Sequence, residues 1–257
     1  MTRLAIFAAM TWECRPIVER LGSAQRTALD SATIWRRARE HDEIWVVKTG
    51  IGIERAANVA RSVLGQTRFD LVVSTGCAGA LSPDLDVGDL VIASRIVAPQ
   101  DGTCIETAAD AGARARNIAG GAGLRVALGP VVCNPTVLPT AAAKRAVGAT
   151  HAAIAVDMES APIAACAAAQ GVPFLSARAI LDRVDTELPP ASLVAPDGHI
   201  RTLAMARRVA THPGDLVRLW ALRGMTVTAQ QTLRTFFAAW MGRDACAGPT
   251  RAPTPTR

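Results

Sequence analysis

The sequence has no tyrosine, no long apolar run and no patterned cysteines, and these absences exclude several classes of protein. No apolar stretch reaches the roughly 18–20 residues that a membrane-spanning helix needs. The six cysteines and four histidines show neither paired nor metal-ligand spacing, so we expect reduced thiols, a cytoplasmic location and no bound metal. Residues 1–10 are too short for a signal peptide and predict a first strand.

The basic excess lies in the C-terminal part of the chain. From His199 onward there are nine arginines and two aspartates, which gives +7, whereas the whole chain carries +6. Residues 1–198 are therefore close to neutral. No helix-turn-helix, zinc-binding or RNA-recognition pattern accompanies the arginines, so we expect no nucleic-acid partner. An anionic membrane surface and a solvated helix face are the alternatives.

Half of the 257 residues are apolar, which suffices for one substantial core. Short apolar runs alternate with helical patterns up to about residue 185. This order predicts a three-layer α/β/α fold with a central mixed, mainly parallel sheet. We assign residues 1–198 to this domain.

The pattern changes after Pro189. Amphipathic helices are predicted at residues 200–211, 214–223 and 226–241, separated by His212-Pro213 and by Gly224. We expect residues 199–245 to form a basic helical extension packed on the domain. The remaining residues, 246–257, are rich in proline and threonine and are predicted to be disordered.

Carboxylates follow three predicted strands. Glu13 comes after the apolar run 4–9, Glu159 after 152–156, and Asp182 after 174–180. Because ligands of open α/β sheets bind beyond the carboxyl ends of the strands, the three side chains predict one shared site, and that site indicates an enzyme.

The same carboxylates also have structural interpretations. Glu13 and Glu159 could each stabilise a helix N-terminus through the helix dipole, and Asp182 could form an ion pair with Arg183 or Arg178.

A further candidate for substrate binding is the segment 76–80, which predicts a glycine-rich turn after the strand 70–74. Backbone N–H groups in such a turn can hold an oxyanion or a hydroxyl.

Five motifs carry a resemblance to a known family. They are KTGIG (48–52), STGCAGAL (74–81), DVGDLV (86–91), AVDMESA (155–161) and ARAILDRVD (177–185). In this order and spacing, over about residues 3–185, the chain resembles the purine nucleoside phosphorylase/nucleosidase superfamily. It is most similar to the methylthioadenosine/S-adenosylhomocysteine nucleosidases. The resemblance implies cleavage of an N-glycosidic bond that releases adenine from a 5′-modified adenosine, without a cofactor, in a homodimer.

The resemblance also implies a role for each candidate residue. Asp182 matches the aspartate that protonates or hydrogen-bonds adenine N7. Glu159 matches the glutamate that binds the ribose hydroxyls, and Glu13 matches the glutamate that activates the attacking water. The residues expected to contact the substrate are Met158 against the sugar, Arg178 near the water, and Gly76, Cys77, Ala78, Gly79 and Val137 around the sugar and base.

The nucleophile is predicted to be water rather than phosphate. The superfamily's phosphorylases place arginine near the position of Glu13, because a phosphate dianion needs fixed cations, and a carboxylate there repels it. Arg15 and Arg178 leave phosphorolysis, with phosphate as co-substrate, as the alternative.

Two departures from the family pattern concern the base pocket. Leu181 stands where a small polar residue usually precedes the aspartate, and residues 133–138 lack the aromatic that commonly stacks on the base. The pocket is therefore expected to be more aliphatic. This places methylthioadenosine, S-adenosylhomocysteine and futalosine second among the expected substrates.

The C-terminal extension indicates the first-ranked substrate. Its layout resembles the hopanoid-associated phosphorylase-like family, which implies conversion of adenosylhopane to ribosylhopane. Trp220, Phe236, Phe237 and Trp240 on a basic amphipathic segment suit contact with the inner face of an anionic membrane. The alternatives for this extension are an additional packing layer or a subunit interface.

A nucleoside- or lipid-binding sensor is the non-enzymatic alternative for the function of the protein, and the three intact carboxylates argue against it.

Overall fold

One mixed sheet forms the centre of the protein. The structure, a computed structural model, describes residues 2–188 and 214–242. The strands are β1 (Thr2–Ala8), β2 (Gln25–Leu29), β3 (Ala32–Ala38), β4 (Asp42–Lys48), β5 (Leu71–Ala80), β6 (Leu90–Ala98), β7 (Thr103–Glu106), β8 (Val126–Cys133), β9 (Ala155–Asp157) and β10 (Phe174–Asp182). The helices are α1 (Thr11–Leu21), α2 (Ile53–Leu64), α3 (Ala109–Gly121), α4 (Ala141–His151), α5 (Ser160–Ala169) and α6 (Gly214–Gly242).

The strand order is β10-β6-β8-β9-β5-β1-β4-β3-β2, with β7 paired to β6. Because β10 also pairs with β5, the strands β5, β9, β8, β6 and β10 close into a ring, and the other strands extend from β5 through β1. Five of the ten pairings are parallel. The mixed sheet is confirmed, but the sheet is less parallel than the alternation of strands and helices predicted.

Helices cover both faces of the sheet, as the three-layer prediction required. The side chains of α2 and α5 pack on one face, over Phe7, Val72 and Val91. On the other face α1, α3 and α6 pack over Ile6, Val73 and Ile92. Successive strand residues thus point to opposite layers, and both layers are apolar, which explains why the central strands are almost entirely apolar.

Strand β5 changes its neighbour halfway along its length. Residues 71–74 pair with β1 and residues 79–80 pair with β9, while the opposite edge of β5 pairs with β10 throughout. The backbone of residues 75–78 therefore faces a gap between β1 and β9. The segment 76–80 is part of this strand, so the predicted turn was wrong: parallel pairing with β10 keeps the glycine-rich segment extended.

The C-terminal helix α6 is continuous from residue 214 to residue 242. The predicted break at Gly224 was wrong, because the roughly 1 kcal/mol cost of a helical glycine is smaller than the gain from burying an apolar helix face. The predicted helix 200–211 and tail 246–257 lie outside the described residues. In the parts of the chain that the structure describes, no helix combines the length and the apolar character that crossing a membrane requires.

The second half of α6 packs closely on the body of the protein. Phe236, Phe237 and Trp240 are buried against α1, α3 and the sheet. Polar contacts hold the same helix, because Gln230 donates to the Trp12 carbonyl (3.3 Å) and Arg234 pairs with Glu19 (2.8 Å). Residues 223–242 thus form the packing layer that the sequence offered as an alternative to membrane contact.

Substituting Phe237 by alanine is expected to destabilise the whole protein. The side chain is fully buried, and removing a buried phenylalanine ring costs about 3–5 kcal/mol of unfolding free energy. Urea unfolding of F237A measures the loss. The matched control is V227A on the same helix, because Val227 is 60% exposed. Equal midpoints for the two variants would show that α6 does not contribute to the cooperative core.

Candidate active site

Glu13 is held in the gap beside β5. It lies in the first turn of α1, and its Oε2 accepts hydrogen bonds from the N–H groups of Ala9 (3.1 Å) and Met10 (2.9 Å). Its Oε1 accepts from the N–H of Cys77 (2.8 Å). Burial raises the pKa of Glu13, while these N–H groups and the charge of Arg178 act in the opposite direction. The carboxylate thus both caps α1 and faces the gap.

Arg178 is a fully buried cation with an ion-pair partner and two hydrogen-bond acceptors, while its Nε has no hydrogen-bond partner among the described residues. Its guanidinium pairs with Asp157 (2.7 Å) and donates to the Thr75 carbonyl (2.7 Å) and to the Ser74 hydroxyl. Asp157 also accepts from the Ser160 hydroxyl (2.7 Å), which fixes the start of α5. Arg178 lies close to Glu13, because a methyl group on Gly76 would contact both side chains, but its ion-pair partner is Asp157. Its predicted place near the attacking water stays a prediction.

Glu159 lies at the N-cap position of α5, directly after β9. Its Oε1 accepts from the N–H of Gly52 (2.9 Å). Burial raises the pKa of Glu159 to about 7, with the negative charges of Asp157 and Glu13 adding to the effect and Arg178 opposing it. Both protonation states of Glu159 are therefore accessible near neutral pH. Pro162 occupies the first turn of α5, where its missing N–H has no cost.

Asp182 ends β10 and forms an ion pair with Lys144 of α4. Neither of the predicted arginine partners binds it, because Arg178 pairs with Asp157 and Arg183 pairs with Asp86 and Asp185. Burial raises the pKa of Asp182, and the charge and hydrogen bond of Lys144 oppose that effect.

The glycines of β5 show how close these groups lie to one another. A methyl group on Gly76 would stand 2.6 Å from Glu13 Oε1 and 3.0 Å from Arg178 Nη1, and the φ angle of +131° also favours glycine. A methyl group on Gly79 would stand 3.4 Å from both carboxylate oxygens of Asp182. Gly76 thus lies beside Glu13 and Arg178, and Gly79, three residues further along the same strand, lies beside Asp182. Glu159 interacts electrostatically with Glu13 and Arg178.

The remaining predicted contact residues lie around this strand or in the adjoining loops. Met158 is half-buried between β9 and α5, and Val137 is half-buried in the loop that joins β8 to α4. Ala78 is buried in β5, and Cys77 is half-buried beside it. Burial raises the pKa of Cys77 well above its ordinary value, aided by the nearby charge of Glu13, so the thiol stays protonated. Contact of these residues with a substrate stays a prediction.

Two charged residues of the site were missed in the sequence. Asp157 was visible beside Glu159 but had no assigned partner, and Lys144 lies in an alanine-rich helix 38 residues before Asp182. Only composition offered a signal for the lysine. Of the 28 Lys and Arg residues, only Lys48 and Lys144 are lysines.

The fold and the position of these carboxylates define a three-layer α/β protein with a polar site beside the strand that changes its neighbour, β5. The chain belongs to the phosphorylase superfamily, whose family model matches residues 3–218. This assignment confirms the superfamily that the five motifs indicated.

Individual relatives agree with this assignment. The chain is 30% identical over 94 residues to the 5′-methylthioadenosine/S-adenosylhomocysteine nucleosidase of Anoxybacillus flavithermus, a match that spans 37% of this chain and 40% of that protein. Its fold is similar to that of a futalosine hydrolase mutant of Helicobacter pylori, with a TM-score of 0.75 and 20% identity over 94% of this chain and 99% of the other. The methylthioadenosine/S-adenosylhomocysteine nucleosidase of the same organism gives a TM-score of 0.74 and 20% identity over 94% and 98%.

Proposed function

We propose that the protein is a nucleosidase that hydrolyses the N-glycosidic bond of a 5′-modified adenosine and releases adenine. The observation that carries this proposal is the placement of Glu13, Asp182 and the intervening β5 glycines along one backbone segment, with Glu159 in electrostatic contact. Glycosidic cleavage passes through an oxocarbenium-like sugar, so it needs an acid for the leaving group and a base for water. Buried carboxyls with raised pKa values are suited to both tasks near neutral pH.

Each carboxyl would act at a different atom of the substrate. As the C1′–N bond breaks and its electron pair moves to the purine, Asp182 gives a proton to N7. Water attacks C1′ and gives a proton to Glu13. Glu159, in its carboxylate form, accepts hydrogen bonds from the ribose hydroxyls. The glycines of β5 provide the close backbone approach that a sugar ring requires.

The charges around Glu13 favour water over phosphate as the nucleophile. Arg15, one of two arginines considered for phosphate binding, has a side chain that is 69% exposed and pairs with Glu19. The other, Arg178, is paired with Asp157. A phosphate dianion in the gap would meet the carboxylates of Glu13 and Asp157 instead of unpaired cations, which disfavours its binding.

Within this reaction class, adenosylhopane is the substrate that we propose. The support is the aliphatic base pocket that the sequence predicts, with Leu181 before the aspartate, and the resemblance of the C-terminal extension to the hopanoid-associated family. Phe236, Phe237 and Trp240 are used in packing α6 against the sheet, so the apolar surface for a bilayer would have to come from other residues. Methylthioadenosine, S-adenosylhomocysteine and futalosine are the second candidates, because relatives of similar fold are named for them.

A direct product assay tests the proposal. The full chain is incubated with adenosylhopane in lipid vesicles, and separately with methylthioadenosine, S-adenosylhomocysteine and futalosine, each with and without phosphate. We expect free adenine and ribosylhopane from the first substrate, with no phosphate requirement. A sugar phosphate would identify phosphorolysis instead. Binding of these nucleosides without any base release would contradict the enzyme and favour a sensor.

A further inference from the structure

Lys144 is a buried charged residue that has no role in the reaction steps described above. It is 1% exposed in the interior of α4, and removing an ammonium group from water is costly unless it is fully paired. Its Nζ contacts three oxygens, namely a carboxylate oxygen of Asp182 and the carbonyls of Arg183 (2.8 Å) and Thr186 (2.8 Å). An ammonium group has three N–H donors, so this environment satisfies each of them.

The three bonds are chemically unequal. The two carbonyl oxygens can only accept, and they fasten residues 183–186 to α4. The third partner, Asp182, can also carry a proton, and its Oδ1 has no hydrogen-bond partner among the described residues. A neutral amine would retain both carbonyl bonds through its two remaining N–H groups and could accept a bond from a protonated Asp182.

We propose that Lys144 is a positioning residue that shares one proton with Asp182, so that the pair, rather than the aspartate alone, supplies the acid for the leaving purine. This inference rests on the proposed function. The shared proton first moves from Nζ of Lys144 to the carboxylate of Asp182, as an N–H bond breaks and an O–H bond forms. As the C1′–N bond breaks, that O–H bond breaks and an N7–H bond forms, which leaves Asp182 as a carboxylate. Lys144 is left as an amine that solvent reprotonates after the base has left.

The residue type supports this role. Arginine makes more hydrogen bonds and is the more common buried cation, but it cannot give up a proton in a protein. This chain has lysine at only two positions, and one of them is the buried partner of Asp182. A purely structural clamp on the carbonyls of residues 183 and 186 would not require a cation that can lose its proton.

Within residues 2–188 and 214–242, few other groups influence this proton. The titratable side chains there that interact with Asp182 are Lys144 from α4 and the Cys77 thiol from β5. The Arg183 side chain is directed to Asp86 and Asp185. The pH dependence of the acid should therefore be determined mainly by the Lys144–Asp182 pair.

The test compares the pH dependence of adenine release in wild type, K144M and K144R, with R145M as the matched control on the exposed side of α4. An isolated aspartyl group loses its proton at lower pH than an ammonium group does. The alkaline limb of kcat for K144M is therefore expected at a pH lower by at least about one unit, with kcat reduced about 10- to 100-fold and KM nearly unchanged. K144R keeps the charge but not the releasable proton, so its kcat should fall at least as far.

A wild-type pH dependence of kcat in K144M or K144R would contradict the proposal. Restoration of the wild-type kcat by K144R would show that Lys144 acts only through its positive charge. A second measurement does not depend on turnover. With 15N-labelled lysine, the chain gives only two Nζ signals. The K48R variant removes one of them and so identifies the signal of Lys144. The Nζ signal of Lys144 is expected to move in D182N, where the carboxylate that takes its proton is gone, and to stay in place in R145M. An unmoved signal in D182N would contradict the shared proton even if adenine is released, whereas a moved signal without adenine release would contradict only the proposed function.

Discussion

Asparagine in place of Asp182 is expected to lower adenine release about a thousandfold, the range that general acid catalysis supplies. The amide has nearly the shape of the carboxyl group but has no acidic proton to give to N7. KM should change little, because the proton moves only as the bond breaks. Steady-state kinetics with the best substrate from the product assay provide the measurement.

This substitution also has a predictable effect on stability, which must be separated from the chemistry. D182N leaves Lys144 buried without its anionic partner, and breaking a buried ion pair costs up to about 3–5 kcal/mol. Removing both charges in D182N/K144M should recover most of that unfolding free energy, as measured in urea, while activity stays absent. Loss of activity in the more stable double variant would thus be a loss of chemistry and not of folding.

The matched control for this experiment is D185N. Asp185 lies three residues further on, and its half-exposed side chain pairs with Arg183. Its substitution should leave both rate and stability close to wild type. Near-normal turnover by D182N would contradict the acid assignment and, with it, the role given to Lys144.

The local patterns that predicted the fold were those with strong apolar periodicity. The helical pattern of residues 11–21 predicts α1 with the bounds that the structure shows, and the three carboxylates follow strands that the apolar runs identified. Strand β2 was missed, because its residues are almost all exposed and show no apolar alternation. The path of β5 through its glycines was missed for a different reason: the pairing with β10 joins residues about 100 positions apart.

The same distinction applies to the site. Glu13, Glu159 and Asp182 are recognisable because each follows a strand within a few residues. The pairing of Arg178 with Asp157 and that of Lys144 with Asp182 depend on how β9, β10 and α4 are arranged in space. Charge partners across elements have no local signature, so the electrostatics of the site required the structure.

Glutamine in place of Glu13 is expected to lower hydrolysis by about 10²- to 10⁴-fold, because the amide cannot take a proton from water. The substitution also affects the surrounding backbone. Three N–H groups donate to the carboxylate, and an amide has only one oxygen. At least one donor would face the amide NH₂ group, at a cost of about 1–3 kcal/mol. The matched control is E19Q on the same helix, where Glu19 is half-exposed and pairs with Arg15 and Arg234.

The pH profile distinguishes loss of the base from loss of structure. A base must be ionised, so activity falls as pH drops through its pKa. Burial raises the pKa of Glu13, which places the acid limb above the value near 4.3 that is typical of an exposed glutamate. Glu159, whose pKa burial raises to about 7, must also be ionised to bind the ribose hydroxyls and contributes a second ionisation to this limb. In E13Q the residual activity should retain only the ionisation of Glu159.

An E13Q protein with the wild-type rate would mean that water is activated by another group, and Asp157 would be the carboxylate to test next because it lies beside Arg178. A rate that falls for hydrolysis but rises when phosphate is added would have a different meaning. It would show that the negative charge of Glu13 is what excludes phosphate from the gap beside β5. Glu13 would then determine the choice between water and phosphate as well as activating water.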